Sequence, residues 1–303
     1  MTIMTDFQQK ITALLPSFEL RMEESLAKHT SFRIGGPAEV MAFPKTTDQL
    51  SEILKASILL DCKPVILGAG TNILAPDEGL RGLVICMKDC MDTLEQLDET
   101  HIRISGGVSM ARAATYAANL GLSGLEFAHG IPGSVGGGVY MNAGAYGGEI
   151  CQVCTQVEVM DLAGNRSILT GEEMQFSYRH SRLEEDFCIV TCAVFFLQKK
   201  PTEEIRAVMQ DLMSRRRASQ PLDMPSAGSA FKRPATGYAA ALIDETGLKG
   251  FRVGKAAISE KHAGFAVNLG GATAADVKNL LQQVSDQVFE RTGIRLEPEV
   301  RIW

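Results

Sequence analysis

The sequence predicts an α+β protein built from two parts, and three observations support this. Helical and strand-like patterns both recur along the 303 residues, so we expect a mixed fold. A hydrophobic content of 45% with 22% charged residues is enough for a sizeable core, and the length suits two domains or one large one. At Pro201 the strand-like runs give way to long amphipathic helices. We therefore predict an α+β domain over residues 1–200, divided into two subdomains near residues 95–105, and a smaller α+β domain over residues 201–303.

In the first part, apolar periodicity and end signals define the elements. The segment TTDQLSEILKASILL starts with cap residues and spaces Leu50, Ile53, Leu54 and Ile58 as one face of an amphipathic helix. Short apolar runs bounded by glycine or polar residues are typical of strands. We predict helices at 6–15, 46–60 and 109–124, and strands within KPVIL, GLVICMK, HIRIS, QVEVMDL, RSILT and CIVTCAVFFLQ.

The second part begins with TEEIRAVMQDLMSRRRASQP, which predicts a capped helix with a basic last turn. TAADVKNLLQQVSDQVFERTG predicts a long amphipathic helix that Gly293 ends. Strands are expected within FRVGKAAIS, AGFAVNL and the final IRLEPEVRIW.

Charge and cysteine usage exclude several classes of protein. A net charge of −6 argues against nucleic acid or an anionic membrane as partner. No stretch approaches the roughly 18 apolar residues of a membrane span, and the N-terminus lacks the pattern of a signal peptide. Seven cysteines, an odd number, suggest reduced thiols and a cytoplasmic protein. CQVC at 151–154 has CxxC spacing, which suits redox or metal chemistry, but its alternating context favours strand packing.

Two glycine-rich segments are the main candidates for ligand binding. VILGAGTNIL follows a strand, yet it fits neither the dinucleotide-binding fingerprint nor the P-loop. It is either a tight turn or a nest of backbone N–H groups for an anion. The tract from Gly124 to Ile150 has nine glycines, and no Lys or Arg occurs from Ala113 to Asn165. Together the two segments suit a long ligand with two phosphates bound by backbone dipoles, the alternative being a structural cluster of turns.

Five motifs in a fixed order carry a family resemblance. GAGTN at 68–72, the tract at 124–150, FSYRHSRL at 176–183, PSAGSAFKRP at 225–234 and LEPEVRI at 296–302 resemble the UDP-N-acetylenolpyruvoylglucosamine reductase family. The resemblance extends from about residue 30 to residue 303 and includes TSFRIGGPAE at 30–39. It implies a vanillyl-alcohol-oxidase-type FAD-binding domain of two α+β subdomains followed by a smaller α+β substrate-binding domain.

The resemblance assigns both glycine segments to FAD, held without a covalent bond because no His lies in the first loop. It implies NADPH and a UDP-sugar as the other small-molecule partners. The activity implied is NADPH-dependent reduction of the enolpyruvyl nucleotide in peptidoglycan synthesis, hence in cell wall biogenesis, cell shape and cell division, by an expected monomer. The implied cofactor-binding residues are Arg33, Gly68, Ala69, Gly70, Thr71, Asn72, Gly130, Ile131, Pro132, Gly133, Ser134, Gly136, Gly137, Asn142 and Ala145.

The same motifs imply the catalytic residues. Ser229 is the implied proton donor, Arg179 faces the substrate carboxylate, and Glu299 supports the enolate-like intermediate. By their positions, Arg217, Lys232, Arg233 and Arg301 are weaker candidates for substrate contact. For Arg217, which lies in the last turn of a helix, the alternative is that it complements the helix dipole. The stretch from Arg179 to Pro201 has no Tyr and no room for the loop that closes over substrate in the longer form of the family, so the chain resembles the shorter form.

Two other functions remain open at this point. A flavin oxidase on the same fold would be reoxidised rapidly by O₂, whereas a non-catalytic flavin-binding module would be unaffected by Ser229→Ala.

Overall fold

The computed structural model describes residues 4–88 and 90–303. Helices form where the sequence supplies caps and an apolar face, because side-chain oxygens satisfy the N–H groups that the first helical turn leaves without partners. The helices are α1 (Asp6–Leu14), α2 (Thr47–Leu59), α3 (Met110–Asn119), α4 (Val135–Tyr140), α5 (Leu183–Asp186), α6 (Thr202–Ser219), α7 (Ala239–Glu245) and α8 (Ala274–Thr292).

The strands are short, as expected where glycine and proline interrupt the apolar runs. They are β1 (Leu20–Ser25), β2 (Pro37–Ala42), β3 (Val65–Leu67), β4 (Ile73–Leu74), β5 (Leu80–Cys86), β6 (Leu94–Gln96), β7 (His101–Ser105), β8 (Leu122–Ser123), β9 (Gly144–Ala145), β10 (Gly148–Glu149), β11 (Cys154–Met160), β12 (Arg166–Thr170), β13 (Ile189–Phe196), β14 (Gln198–Lys199), β15 (Ser226–Ser229), β16 (Arg252–Val253), β17 (Ala256–Ile258), β18 (Phe265–Asn268) and β19 (Arg301–Ile302).

The chain forms two compact units, and each is made of several chain segments. Unit 1 comprises the described residues of 1–22, 39–69 and 81–214, whereas unit 2 comprises residues 23–38, 70–80 and 215–303. These boundaries differ from the predicted division at residue 200. The physical reason lies in the core of unit 2, where Phe32, Ile34 and Leu74 pack with C-terminal residues such as Val277 and Leu296.

Unit 1 contains two main sheets, with strand orders β1-β2-β5-β3 and β12-β11-β13-β7-β6. The first sheet packs with α1 and α2 through a core that includes Ile11, Leu50 and Ile85. The second packs with α3 and α4 through residues such as Ile104 and Val139. Strands β6 and β7 pair antiparallel, so both belong to the second sheet, and the subdomain division predicted near residues 95–105 stays a prediction.

Unit 2 contains the antiparallel sheet β15-β18-β17-β16, covered by α8. A parallel pair, β4 with β19, joins residues 73–74 to residues 301–302. Helix α8 begins with a Thr273/Asp276 capping box and ends at Gly293 with φ +73°, as predicted. The final strand is shorter than IRLEPEVRIW predicted, because residues 297–299 pair instead with residues 230–232 around an isolated bridge between Phe231 and Pro298.

Other expectations need correction. Ile58 is 54% exposed, because the buried stripe of α2 continues through Ser57 instead. Helices α4, α5 and α7 were not predicted, and α4 contains three consecutive glycines. In the described part of the chain, no helix is both long and apolar enough to cross a membrane.

Candidate functional site

The two glycine segments meet within unit 1, at Gly68 and Ser134. A Cβ built on Gly68 would lie 3.0 Å from the Ser134 hydroxyl oxygen, and one on Gly137 would lie 3.4 Å from the same atom. Ser134 is the N-cap of α4, and its hydroxyl accepts a hydrogen bond from the Gly137 N–H at 3.3 Å. The end of β3 therefore lies beside the first turn of α4, about sixty residues further along the chain.

Other glycines of the tract serve protein packing. The Gly136 N–H donates to the Gly106 carbonyl at 2.8 Å, and a Cβ on Gly106 would lie only 2.4 Å from the Val190 carbonyl oxygen. A Cβ on Gly138 would lie 2.9 Å from the Met110 sulfur. A Cβ on Gly106 would collide with the backbone of β13, whereas one on Gly138 would displace the Met110 side chain. The absence of side chains here lets β7, β13 and α4 approach closely.

Gly68 and Gly137 are different, because a Cβ on either would meet only the Ser134 oxygen. Room beside two glycines at a helix start suits the diphosphate of FAD, which approaches the backbone closely. Next to this segment, His129 Nδ1 is buried without a hydrogen-bond partner in the described structure, so a ligand or water group would satisfy it. His129 was not among the residues predicted from the sequence. The predicted cofactor residues of unit 1 that are at least partly exposed are Gly68, Ala69, Gly130, Ile131, Pro132, Gly133, Gly136, Gly137 and Ala145.

Ser134 itself is 2% exposed, so its hydroxyl is an internal cap and not a surface donor. The contact of Ser134 with FAD that the resemblance implies stays a prediction.

Asn142 is buried in the same way, and its predicted contact with FAD likewise stays a prediction. Its side chain is 1% exposed, its Nδ2 donates to the Ser177 carbonyl at 3.0 Å, and its Oδ1 accepts from the Cys151 N–H at 2.9 Å. Asn142 instead fixes the loop that carries Arg179.

Arg179 is held in a strained conformation at the tip of that loop. Its φ is +57°, which is uncommon for a residue with a side chain and is often found at functional sites. Its Nη2 donates to the Gly144 carbonyl at 3.2 Å, and its guanidinium lies 4.8 Å from the Tyr178 ring centroid. His180 lies within 3.7 Å of Glu184 and is about a third exposed.

In unit 2, the remainder of the GAGTN loop packs on the segment that precedes Arg33. The Ser31 N–H donates to the Gly70 carbonyl at 3.0 Å, and the Ser31 hydroxyl donates to the Ser226 carbonyl at 2.6 Å. Arg33 is exposed with φ +55°. Thr71 and Asn72 are half-buried. Although the first loop has no His in its sequence, the backbone of His29 lies against Gly70.

Unit 2 also brings Ser229 and Glu299 onto neighbouring segments. Ser229 ends β15 and is exposed, and the next residue, Ala230, accepts a hydrogen bond at 2.9 Å from the Glu299 N–H. The Lys232 N–H donates to the Glu297 carbonyl at 2.8 Å, so the two segments run antiparallel. Both groups predicted for catalysis in this unit are thus fixed by main-chain pairing. Arg179 belongs to unit 1.

The basic residues predicted to contact the substrate all belong to unit 2. The Arg217 side chain is exposed, and its carbonyl accepts from Lys261 Nζ at 2.6 Å. Lys232 Nζ lies 3.6 Å from a Glu297 carboxylate oxygen, an exposed pair of little energetic weight. Arg233 lies 4.0 Å from the Tyr238 ring centroid, and Arg301 is half-buried in β19.

The CQVC segment has the packing role that its alternation indicates. Cys151 is exposed, whereas Cys154 is 4% exposed and burial raises the pKa of its thiol to about 12. Within residues 4–88 and 90–303, no group of three or more His, Cys, Asp or Glu side chains is placed to hold a metal ion.

Two family models match the chain. The model described as FAD binding domain matches residues 38–169, and the model for the C-terminal domain of UDP-N-acetylenolpyruvoylglucosamine reductase matches residues 220–303. The chain thus carries an FAD-binding domain, and the predicted α+β fold class is confirmed.

Full-length relatives agree with these matches. UDP-N-acetylenolpyruvoylglucosamine reductase from Agathobacter rectalis is 44% identical over 98% of this chain and 98% of its own length. The protein of the same name from Caldanaerobacter subterraneus is 43% identical over 97% of this chain and 96% of its own. The crystal structure of UDP-N-acetylenolpyruvylglucosamine reductase from Thermus caldophilus matches with a TM-score of 0.79 and 36% identity, covering 94% of this chain and 98% of that one. This chain therefore belongs to the UDP-N-acetylenolpyruvoylglucosamine reductase family.

Proposed function

We propose that the chain catalyses the NADPH-dependent reduction of UDP-N-acetylglucosamine enolpyruvate to UDP-N-acetylmuramate. Family membership and the FAD-binding domain support this proposal. The observation that carries it is the pairing that sets Ser229 and Glu299 on adjacent segments of unit 2. When bound, FAD supplies the hydride for the enolpyruvyl double bond after reduction by NADPH. The protein residues must bind the nucleotide, deliver a proton and stabilise negative charge.

Ser229 is the proposed proton donor. Its hydroxyl is exposed at the end of β15, while the neighbouring Ala230 is fully buried and its N–H donates to the Gly264 carbonyl at 2.7 Å. The hydrogen bonds of Ala230 therefore fix the backbone next to Ser229, whereas the Ser229 side chain is exposed. A serine is a weak acid, so its proton is transferred only to a carbon that has become carbanion-like.

Arg179 and Glu299 are proposed to stabilise the charge that develops during the reaction. A guanidinium presents its N–H groups as a planar fork that matches a carboxylate. The αL backbone of Arg179 and the buried Asn142 beneath its loop limit how far this fork can move. Glu299 would hydrogen-bond the enolate-like oxygen of the substrate.

The FAD is proposed to be bound non-covalently, by backbone groups around Gly68 and Gly137. The ring of His29, whose backbone lies against Gly70, has Nε2 at 2.9 Å from a Glu24 carboxylate oxygen and a side chain only 15% exposed. We further propose that the enzyme works as a cytoplasmic monomer in peptidoglycan precursor synthesis, and so contributes to cell shape and division.

Anaerobic stopped-flow measurement of the two half-reactions tests the function. In Ser229→Ala, we expect flavin reduction by NADPH to stay within 3-fold of wild type. Flavin reoxidation by the enolpyruvyl nucleotide should slow by about 10²-fold or more, the usual contribution of a general acid. Ser214→Ala, an exposed serine of α6, is the matched control and should alter neither rate.

Two results would contradict the proposal. A wild-type protein without flavin absorption near roughly 450 nm, a property of the oxidised cofactor, would refute the cofactor assignment. Rapid reoxidation by O₂ together with none by the enolpyruvyl nucleotide would favour a flavin oxidase.

A further inference from the structure

Asn72 lies in the loop assigned to FAD, yet its side chain contacts the segment that carries Glu299. The amide Nδ2 of Asn72 donates a hydrogen bond to the Glu299 carbonyl at 3.1 Å. Because the partner is a carbonyl oxygen, the donor must be the amide nitrogen, which fixes the orientation of the amide.

The main chain of Asn72 makes a second contact with the same segment. The Asn72 carbonyl accepts from the Arg301 N–H at 3.0 Å, and this bond begins the parallel pairing of β4 with β19. Residues 299 and 301 are therefore both held by Asn72, one through its side chain and one through its backbone.

The opposite side of Glu299 is held by the Ser229 segment. The Glu299 N–H donates to the Ala230 carbonyl at 2.9 Å, as described above. Glu299 thus has its N–H bonded to the strand end that carries the proposed proton donor and its C=O bonded to the FAD loop. With both peptide groups fixed, its Cα has little freedom, although its side chain is only half-buried.

We propose that Asn72 is a positioning residue for Glu299, which it holds in register with Ser229. This inference rests on the proposed function, since it concerns the step in which Glu299 and Ser229 act on the enolpyruvyl group. A displacement of about 1 Å in a catalytic group can cost roughly 100-fold in rate, so a single hydrogen bond that restrains the backbone matters more for turnover than for stability.

Two substitutions separate this role from cofactor binding. Asn72→Ala removes the amide, and the nearly isosteric Asn72→Asp replaces the donor with a carboxylate oxygen that faces the Glu299 carbonyl. Asn279→Asp, at an exposed position of α8, is the control for the added negative charge in the same unit.

We expect both variants to bind FAD and to be reduced by NADPH within 3-fold of wild type. Reoxidation by the enolpyruvyl nucleotide should slow 10- to 100-fold, with kcat lowered and the KM for that nucleotide nearly unchanged, and Asn72→Asp should be the slower variant. Asn279→Asp should match wild type in each rate.

Hydrogen–deuterium exchange on the flavin-free proteins gives a readout that does not depend on activity. Amides in a peptide covering 299–303 should exchange at least 5-fold faster in Asn72→Ala than in wild type, while a peptide from β17 should not change. Unaltered exchange, or unaltered reoxidation, would refute the positioning role. Equal losses in FAD affinity and in both half-reactions would show that Asn72 is a cofactor ligand instead. Failure of wild-type enzyme to be reoxidised by the enolpyruvyl nucleotide would refute the proposed function, and with it any role of Asn72 in that step.

Discussion

Gly68 and Gly70 are two residues apart in one loop, yet replacing each by alanine should have different consequences. Gly70→Ala should lower the stability of the protein, whereas Gly68→Ala should weaken FAD binding. At Gly70, φ is +65° and an added Cβ would lie 2.0 Å from the His29 carbonyl oxygen. At Gly68, the Cβ would meet only the Ser134 hydroxyl oxygen at 3.0 Å. Gly70 is buried, whereas Gly68 is partly exposed.

The cost of Gly70→Ala follows from two effects. An alanine in the left-handed region costs about 1–2 kcal/mol. Forcing the His29 backbone away adds about 1–3 kcal/mol of overpacking. The sum, about 2–5 kcal/mol, is a large part of the roughly 5–15 kcal/mol that stabilises a typical domain. For Gly68→Ala neither effect is large, so we expect the free energy of unfolding to change by less than about 1 kcal/mol.

Denaturant unfolding of the flavin-free protein measures this difference. Trp303 is the single tryptophan of the chain, and its backbone N–H donates to the Leu74 carbonyl at 3.1 Å, so its fluorescence reports on unit 2, which contains Gly70. Far-ultraviolet circular dichroism follows the helices of both units, including the unit that contains Gly68. Fluorescence titration with FAD then measures cofactor binding. We expect Gly68→Ala to unfold near the wild-type midpoint but to bind FAD at least 10-fold more weakly.

Two outcomes would refute this reasoning. A Gly70→Ala variant destabilised by less than about 1 kcal/mol would show that the left-handed backbone and the close approach to His29 cost little. A Gly68→Ala variant with wild-type affinity for FAD would show that the diphosphate does not lie beside Gly68.

Three further outcomes are expected. Asp77→Ala should destabilise unit 2 by about 1–2 kcal/mol in thermal unfolding, because its carboxylate accepts from the Ala274 N–H at the start of α8 at 2.7 Å; Glu78→Ala, an exposed neighbour, should have no such effect. In the native protein, iodoacetamide should label Cys151 slowly and leave Cys154 unmodified at neutral pH by mass spectrometry. Desolvation raises the pKa of both thiols, but Cys151 is exposed, whereas Cys154 is buried and its pKa is raised to about 12; equal labelling would contradict the packing role. Desolvation lowers the pKa of His262 below its ordinary 6.5. The neutral His262 therefore contributes its full stability above pH 6.5, and this stability is lost as the pH falls below 6.5 and the unfolded chain takes up a proton. His262→Gln should make the unfolding midpoint less sensitive to pH below 6.5.

Local signals in the sequence predicted most regular elements correctly. Helix α2 starts where Thr46 can cap it, and α8 lies between its Thr273 capping box and Gly293. Such signals act within a few residues, so a single sequence contains them in full. The strands β11, β12 and β13 were likewise evident from alternation and apolar runs.

Helix α4 shows why other elements were not predictable. Three consecutive glycines disfavour a helix, and six residues are too few to show a period. Its stability depends on the Ser134 cap and on close contacts with Gly106 and Met110, which are distant in sequence. Tertiary packing determines this helix, and the local sequence does not reveal it.

The candidate site, like the fold, was predicted only in part from the sequence. Motifs indicated the residue types near a flavin, including Gly68, but they did not separate surface groups from internal ones. Asn142 is buried under the Arg179 loop, and the buried His129 Nδ1, which has no hydrogen-bond partner among the described residues, had no signal in the sequence. Burial and hydrogen-bond partners depend on the assembled fold, so only the structure distinguishes a ligand contact from a scaffold contact.

The composition of unit 2 from three separate chain segments affects how it can fold. Residues 23–38 and 70–80 are made early in synthesis, but their packing partners in the core of unit 2 lie mostly after residue 215. Contacts this distant in sequence close large loops and form slowly. During translation, the apolar side chains of Phe32, Ile34 and Leu74 therefore stay without most of their core partners until more than a hundred further residues have been added. This unit is consequently the part of the chain for which early chaperone binding should matter most.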